Sequence, residues 1–391
     1  MNRKGFLVMM VSMVALLATT AFAGGALMPD DMVVITNRDS SDIALIDQKT
    51  DQIVGRVSLG DLTNPHMSMM THGGKYVLVA GSGKNEFIVV DFATLKVVKR
   101  IPVGQLPEHF DISPDDRYAT VGNFDDSTVS IIDLVSLEEI KRLDGFFEPH
   151  GISYSPDGQK VYVSNLGAHE VAVVSTKEKR LAKAVSVADP IAYAAVDPAG
   201  QLADVKGIIN PTFTADGRFI YMADQDAGQV GIMDAGSDSI IKRIKVGAEP
   251  WRAYASFDGQ FMLIPNNGDK TVSVIRAKDH SLVGSFPAGG TMTGINFSSN
   301  NKAYVISSEE SAVYVYDLAR LQTIGRIQIG LRLKLETAAT TGDGKKIYLT
   351  SSTDNSVYVI NTITDKVTRI PDVGVSPWAA NIMKGKDNYC H

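Results

Sequence analysis

The sequence predicts an all-β protein folded as a single β-propeller, with eight blades by repeat count, closed by its C-terminal strand. Three observations predict it. Seven positions share one register: His66, Glu108, His150, Trp251, Thr293, Glu336 and Trp378, separated by 42, 42, 101, 42, 43 and 42 residues. A repeat of about 40 residues built of short strands is the sequence mark of a propeller. Strand-forming runs of Val, Ile and Tyr alternate with Gly, Asp and Asn at turns. No segment sustains a 3.6-residue period.

Each unit justifies its strands in order. A Pro-containing turn opens it, as in Glu148-Pro149-His150, Glu249-Pro250-Trp251 and Ser376-Pro377-Trp378. A first strand leads to a tight turn: SPDD at 113–116, SPDG at 155–158, TADG at 214–217, SFDG at 256–259, TGDG at 341–344. The second strand is YATVGN at 118–123, VYVSN at 161–165 or IYLTS at 347–351. The third is TVSIID at 128–133 or SVYVIN at 356–361, and the fourth runs into glycine, as KRIPVG at 99–104. The 101-residue step holds one further unit, whose equivalent position is near Ile209, and 17 extra residues. The first unit, 33–59, has only three strands, and the last segment, 376–382, has only an opening strand. The C-terminal strand therefore completes the N-terminal blade and removes two sheet edges. Seven blades follow instead if one unit is degenerate.

This organisation assigns residues 1–23 to a signal peptide, 24–32 to an N-terminal extension, 33–382 to the propeller and 383–391 to a tail. Arg3 and Lys4, the apolar run from Gly5 to Leu17 and the Ala21-Phe22-Ala23 cleavage pattern carry the export signal. The expected location is the periplasm or an equivalent extracytoplasmic compartment, with no membrane span after signal removal. Net charge is −6, or −8 without Arg3 and Lys4, which argues against nucleic acid as a partner. A single cysteine, Cys390, cannot form an internal disulfide, so the fold must stand on strand packing.

YVSN, SPDG, TVSIID and IPVG resemble the YVTN-type propeller repeats of secreted bacterial and archaeal proteins over residues 33–382. Eight units closed by a C-terminal strand also resemble cytochrome d1-type propellers and their haem-d1 biosynthesis relatives. In length, export and repeat style the chain is similar to the amine dehydrogenase heavy chain and to the propeller subunit of hydrazine synthase. These resemblances imply a non-catalytic subunit of a periplasmic haem-containing redox complex, scaffolding haem-bearing protein subunits and carrying no cofactor itself. One alternative is a haem d1-type tetrapyrrole-binding propeller with His66 or His150 as axial ligand. Another is a free-standing secreted binding or surface propeller.

Chemistry is expected at the ring of equivalent positions, which begin the strand nearest the axis. His66, Glu108, His150, Trp251, Thr293, Glu336 and Trp378, with His109 and Arg252 one residue further on, form a candidate mouth for a ligand or a partner's loop. The same residue types also serve as structural links between blades. The reading places them at a solvated mouth. His66 and His150 are the metal candidates, with Glu108 beside them. The insert at 187–206 presents Ile191, Tyr193, Val196 and Leu202 as a partner-binding surface that no repeat requires. The C-terminal Asp387-Asn388-Tyr389-Cys390-His391 lacks the first thiol of the C-x-x-C-H haem motif. No G-x-S-x-G, phosphate-loop or H-E-x-x-H signature is present, so no residue is assigned a catalytic role.

Overall fold

Strands mostly of six or seven residues, joined by tight turns, can bury their faces only by stacking blade against blade. The computed structural model describes residues 27–189 and 205–385, and within them eight four-stranded antiparallel sheets stand around one axis. The inner strands are Pro377–Ile382 for blade 1, then Pro65–Met70, Pro107–Ile112, Pro149–Tyr154, Thr212–Phe213, Tyr254–Ala255, Met292–Phe297 and Leu335–Thr340 for blades 2 to 8. Blade 1 closes as the sequence predicts. Pro377–Ile382 pairs antiparallel with Met32–Asn37, with Val33 opposite Ile382 and Ile35 opposite Ala380. No helix among the described residues is long and apolar enough to cross a membrane.

Eight apolar clusters fill the eight seams. Between blades 8 and 1, for example, Val33, Ile35, Ala44, Tyr348, Val359 and Ile382 pack together. The second and third strands are covered on both faces, which is why they read as continuous apolar runs. The outermost strands are largely exposed, as in Gln322–Gln328.

Two local motifs explain repeated letters of the sequence. In the SPDG turn, Ser155 Oγ donates to Asp157 Oδ1 (2.6 Å), which also accepts from the Gln159 amide (3.0 Å). Gly158 takes φ +68°, where a side chain would be strained. At three seams a Tyr hydroxyl and a Lys ammonium of one blade hold an Asp in the outer turn of the next. These are Tyr162 and Lys160 on Asp238, Tyr304 and Lys302 on Asp365, and Tyr348 and Lys346 on Asp51. The three aspartates sit at φ 50–56°, a left-handed turn position that Asp tolerates better than most residues. Burial and the neighbouring carboxylate push the three tyrosines far above their ordinary range.

Candidate functional site

The ring positions are β-bulges. In blade 2, Pro65 faces Gly81 and Met67 faces Ala80, which leaves His66 as one extra residue. In blade 3, Glu108 and His109 lie between the pairs Pro107–Asn123 and Phe110–Val121, two residues against one. The same single surplus falls at His150-Gly151, Thr293, Glu336-Thr337 and Trp378. In blades 5 and 6 it falls at 209–211 and 251–253, between an isolated bridge and a two-residue inner strand. A bulge interrupts the pleat and re-aims a side chain.

On the arc from blade 8 to blade 4 these side chains touch in sequence. Lys334 Nζ lies 3.2 Å from Glu336, which also accepts from Ser352 Oγ. Lys334 and Arg38 both approach the Trp378 ring, at 4.8 and 4.2 Å from its centroid. His66 meets Trp378 edge-on at 5.9 Å and His109 at 5.0 Å. His109 lies on His150 at 4.0 Å. His66 Nδ1 is 3.7 Å from Glu108 Oε1, and single donor atoms of His66, Glu108 and His109 all fall within 4.8 Å of one another. His150 stands beside that trio. Its Nδ1 is 3.0 Å from the carbonyl oxygen of Ile209, which fixes the ring proton on Nδ1. That carbonyl also accepts from the Gly151 amide and Ser164 Oγ. Blade 5 thus contributes a main-chain oxygen where its neighbours contribute side chains.

Burial differs from the sequence expectation of a solvated mouth. His66, His109, His150, Thr293, Glu336 and Arg252 are all buried, Glu336 completely. The blades converge at the axis, so a bulged residue is enclosed by the blade on either side. The Glu108 carboxyl is pushed up to about 7, chiefly by burial, with Arg38 opposing and Asp125 reinforcing the shift. Burial likewise lifts Asp111 to about 6, against hydrogen bonds from the Tyr154 and Ile112 amides.

The other predicted residues lie elsewhere on the axis. Arg252 lines a cavity of about 430 Å³ with His109, Asp111, Tyr154, Asn210 and Thr212. Trp251 borders a separate cavity of about 670 Å³ with Glu148, Lys206, Glu249 and Asn267. Ile191, Tyr193, Val196, Leu202, Cys390, His391 and residues 1–26 lie outside the described residues. At the near edge of the insert, Val187 and Ala188 are buried, and Val187 packs with Tyr162, Ile208 and Met222. Sequence reasoning missed Arg38, Lys334 and Asp111. The one signal for Lys334 was a charge in the loop two residues ahead of a ring position.

Residues 99–385 match the family model of the YNCE-like beta-propeller, and residues 27–147 match that of the cytochrome D1 heme domain. The second match overturns the expectation that the chain carries no cofactor, since it covers the blades that hold Arg38, His66, Glu108 and His109. The sequence matches no curated protein. Among solved structures, the dihydro-heme d1 dehydrogenase NirN in complex with DHE is similar, with TM-score 0.73 at 16% identity over 91% of this chain and 76% of that one. Hydrazine synthase of Kuenenia stuttgartiensis gives 0.56 at 19% over 80% and 96%. A functionally unknown protein of Desulfotomaculum acetoxidans gives 0.55 at 16% over 77% and 96%. At these identities the likeness is one of fold.

Proposed function

From the premise that the chain belongs to the YNCE-like β-propeller family, we propose that it is a tetrapyrrole-binding propeller of the d1 class, working outside the cytoplasm. The observation that carries this reading is the row of imidazoles His66, His109 and His150 at one mouth of the axis. The residues fit such a group. Imidazole is a haem-iron ligand, and the Arg38 and Lys334 cations suit acidic substituents. The cavity that His109 lines, about 430 Å³, falls in the range of ligand pockets, about 300–1,000 Å³. His66 or His109 would offer the iron its protein ligand, while Arg38 and Lys334 would hold the periphery. When bound, the group supplies an iron centre for electron or ligand exchange. The surrounding burial excludes water and strengthens each of these polar contacts.

The test is uptake of a d1-type tetrapyrrole by purified protein, read as a shifted Soret band. Replacing His66 and His109 together with alanine should abolish the shift, and Thr293→Ala should leave it. No shift in the parent protein would sink the reading.

A second reading, a subunit of a redox assembly with haem-bearing partners, is favoured by three exposed leucine and valine side chains. Leu62, Leu331 and Val375 are 79%, 86% and 48% exposed on the loops that enter the mouth from blades 2, 8 and 1. An apolar rim of this kind suits a partner surface. Size-exclusion chromatography of native extract should place the parent in a larger particle than Leu62→Asp/Leu331→Asp. Equal elution would remove this reading. Export is tested by the mature N-terminus, expected at Gly24.

A further inference from the structure

The bulge of blade 3 delivers two consecutive residues, Glu108 and His109, to one point, and the bulge of blade 2 brings His66 to the same point. In an unbroken strand, consecutive side chains face opposite ways, so this convergence requires the surplus residue. The result is two imidazoles and one carboxylate, with His66 Nδ1 3.7 Å from Glu108 Oε1 and all three donor atoms within 4.8 Å of one another. The His66 and Glu108 side chains are only 8% and 19% exposed. We propose that His66, Glu108 and His109 bind a first-row divalent transition-metal ion directly.

The donor chemistry sets the class of ion. Two imidazoles with one carboxylate suit zinc or iron(II) and leave positions for water or a small ligand. Carboxylate-rich oxygen sets that favour calcium or magnesium are different in kind. The set also exceeds what a haem would use. A macrocycle supplies the four in-plane ligands, so its iron takes at most one side chain from each face, whereas here three donors gather at one point. His66 and His109 are also the haem-ligand candidates, so a directly bound ion and a tetrapyrrole are alternative occupants of these side chains, and the metal site does not depend on the tetrapyrrole reading. His150, lying on His109 and held by the Ile209 carbonyl, would fix the orientation of the His109 ring from outside the coordination sphere.

The experiment is a cobalt(II) titration of the full-length protein after chelator treatment, followed by visible absorption, with bound metal counted by elemental analysis. One ion per chain is expected. Loss of a ligand should weaken binding by at least the ~10–100-fold that loss of an outer-shell partner costs, in His66→Ala, His109→Ala and Glu108→Gln. The last keeps side-chain volume and reports even if an alanine variant fails to fold. His169→Ala, which removes a histidine paired with Asp224 on other blades, should bind like the parent. Absence of stoichiometric cobalt, or parental affinity in both Glu108→Gln and His66→Ala, would overturn the site. Either result leaves the tetrapyrrole reading standing, because a macrocycle brings its own iron. A missing Soret shift with intact cobalt binding would remove the tetrapyrrole reading alone.

Discussion

The arc of blades 8, 1, 2, 3 and 4 and the arc of blades 5, 6 and 7 share one backbone device and differ in chemistry. Both place a single surplus residue at the same point of each inner strand. On the first arc that residue is Glu336, Trp378, His66, Glu108 or His150, and the side chains touch in sequence from one blade to the next. On the second it is Ile209, Trp251 or Thr293. Ile209 offers only its carbonyl oxygen, and Trp251 lines a separate cavity. The scaffold is therefore indifferent to what it presents, and function on this fold has to be argued blade by blade.

The comparison can be broken most severely at its closure. Removing residues 377–391 takes the inner strand from blade 1 and Trp378 from the first arc, and it exposes the edge of Met32–Asn37. Loss of buried Ile382 alone should cost about 2–5 kcal/mol, and the open edge invites aggregation. Insoluble protein, or a melting temperature lowered by well over 10 °C, is expected. An unchanged melting curve would show that blade 1 does not need its closing strand.

A smaller effect separates a bulge from an outer strand. A Cβ on Gly151 would come within 2.3 Å of Asn210 Oδ1 and 2.5 Å of the Ile209 carbonyl oxygen, whereas one on Gly325 meets nothing within 4 Å. Gly151→Ala should destabilise by about 1–3 kcal/mol and disturb His150, while Gly325→Ala should stay within about 0.5 kcal/mol. Urea denaturation of the two variants side by side measures the difference. Equal midpoints would mean that the crowding at the axis is overstated.

The chemistry of the two arcs is sharpened by paired substitutions. His109→Ala should weaken tetrapyrrole uptake by at least about tenfold, equivalent to roughly 1.4 kcal/mol, and Trp251→Phe should not. Equal losses would show that the whole ring, rather than one arc, forms the site.

The smallest effect lies where the arcs meet, between blades 4 and 5. His169 Nδ1 is 2.6 Å from Asp224. Burial lowers the imidazole pKa, but the Asp224 hydrogen bond and charge outweigh it and leave the value raised. The pair's stabilisation is fully present below the unfolded-state value of about 6.5 and is lost as pH rises through the higher folded value. The parent should therefore lose more stability between pH 6 and pH 8 than His169→Gln does. Parallel thermal profiles would remove the pair as a source of pH dependence.

The blades were legible because strand, turn and period recur eight times, and each copy repeats the same burial pattern. The ring was legible as a register, but the bulges were not, since a surplus residue leaves no mark on composition. That gap explains the burial error at His66, His109 and His150: the sequence showed polar residues after a turn, and the convergence of blades that encloses them is a property of the closed disc. Arg38 stayed hidden because it reaches Trp378 across 340 residues of chain, and Ile209 because a carbonyl carries no side-chain signature. The cofactor expectation failed for a different reason. It rested on a likeness in length and repeat style to scaffolding subunits, and those features belong to the fold and carry no information on what the ring side chains hold.

The pairing of Val33 with Ile382 also sets a schedule. Until residues 377–382 are in place, blade 1 is a three-stranded sheet with one bare edge. Until then the clasp of Lys346 and Tyr348 on Asp51 ties blade 8 to blade 1, and Trp378 has not joined Arg38 and Lys334. The first arc is therefore completed only when the ring closes.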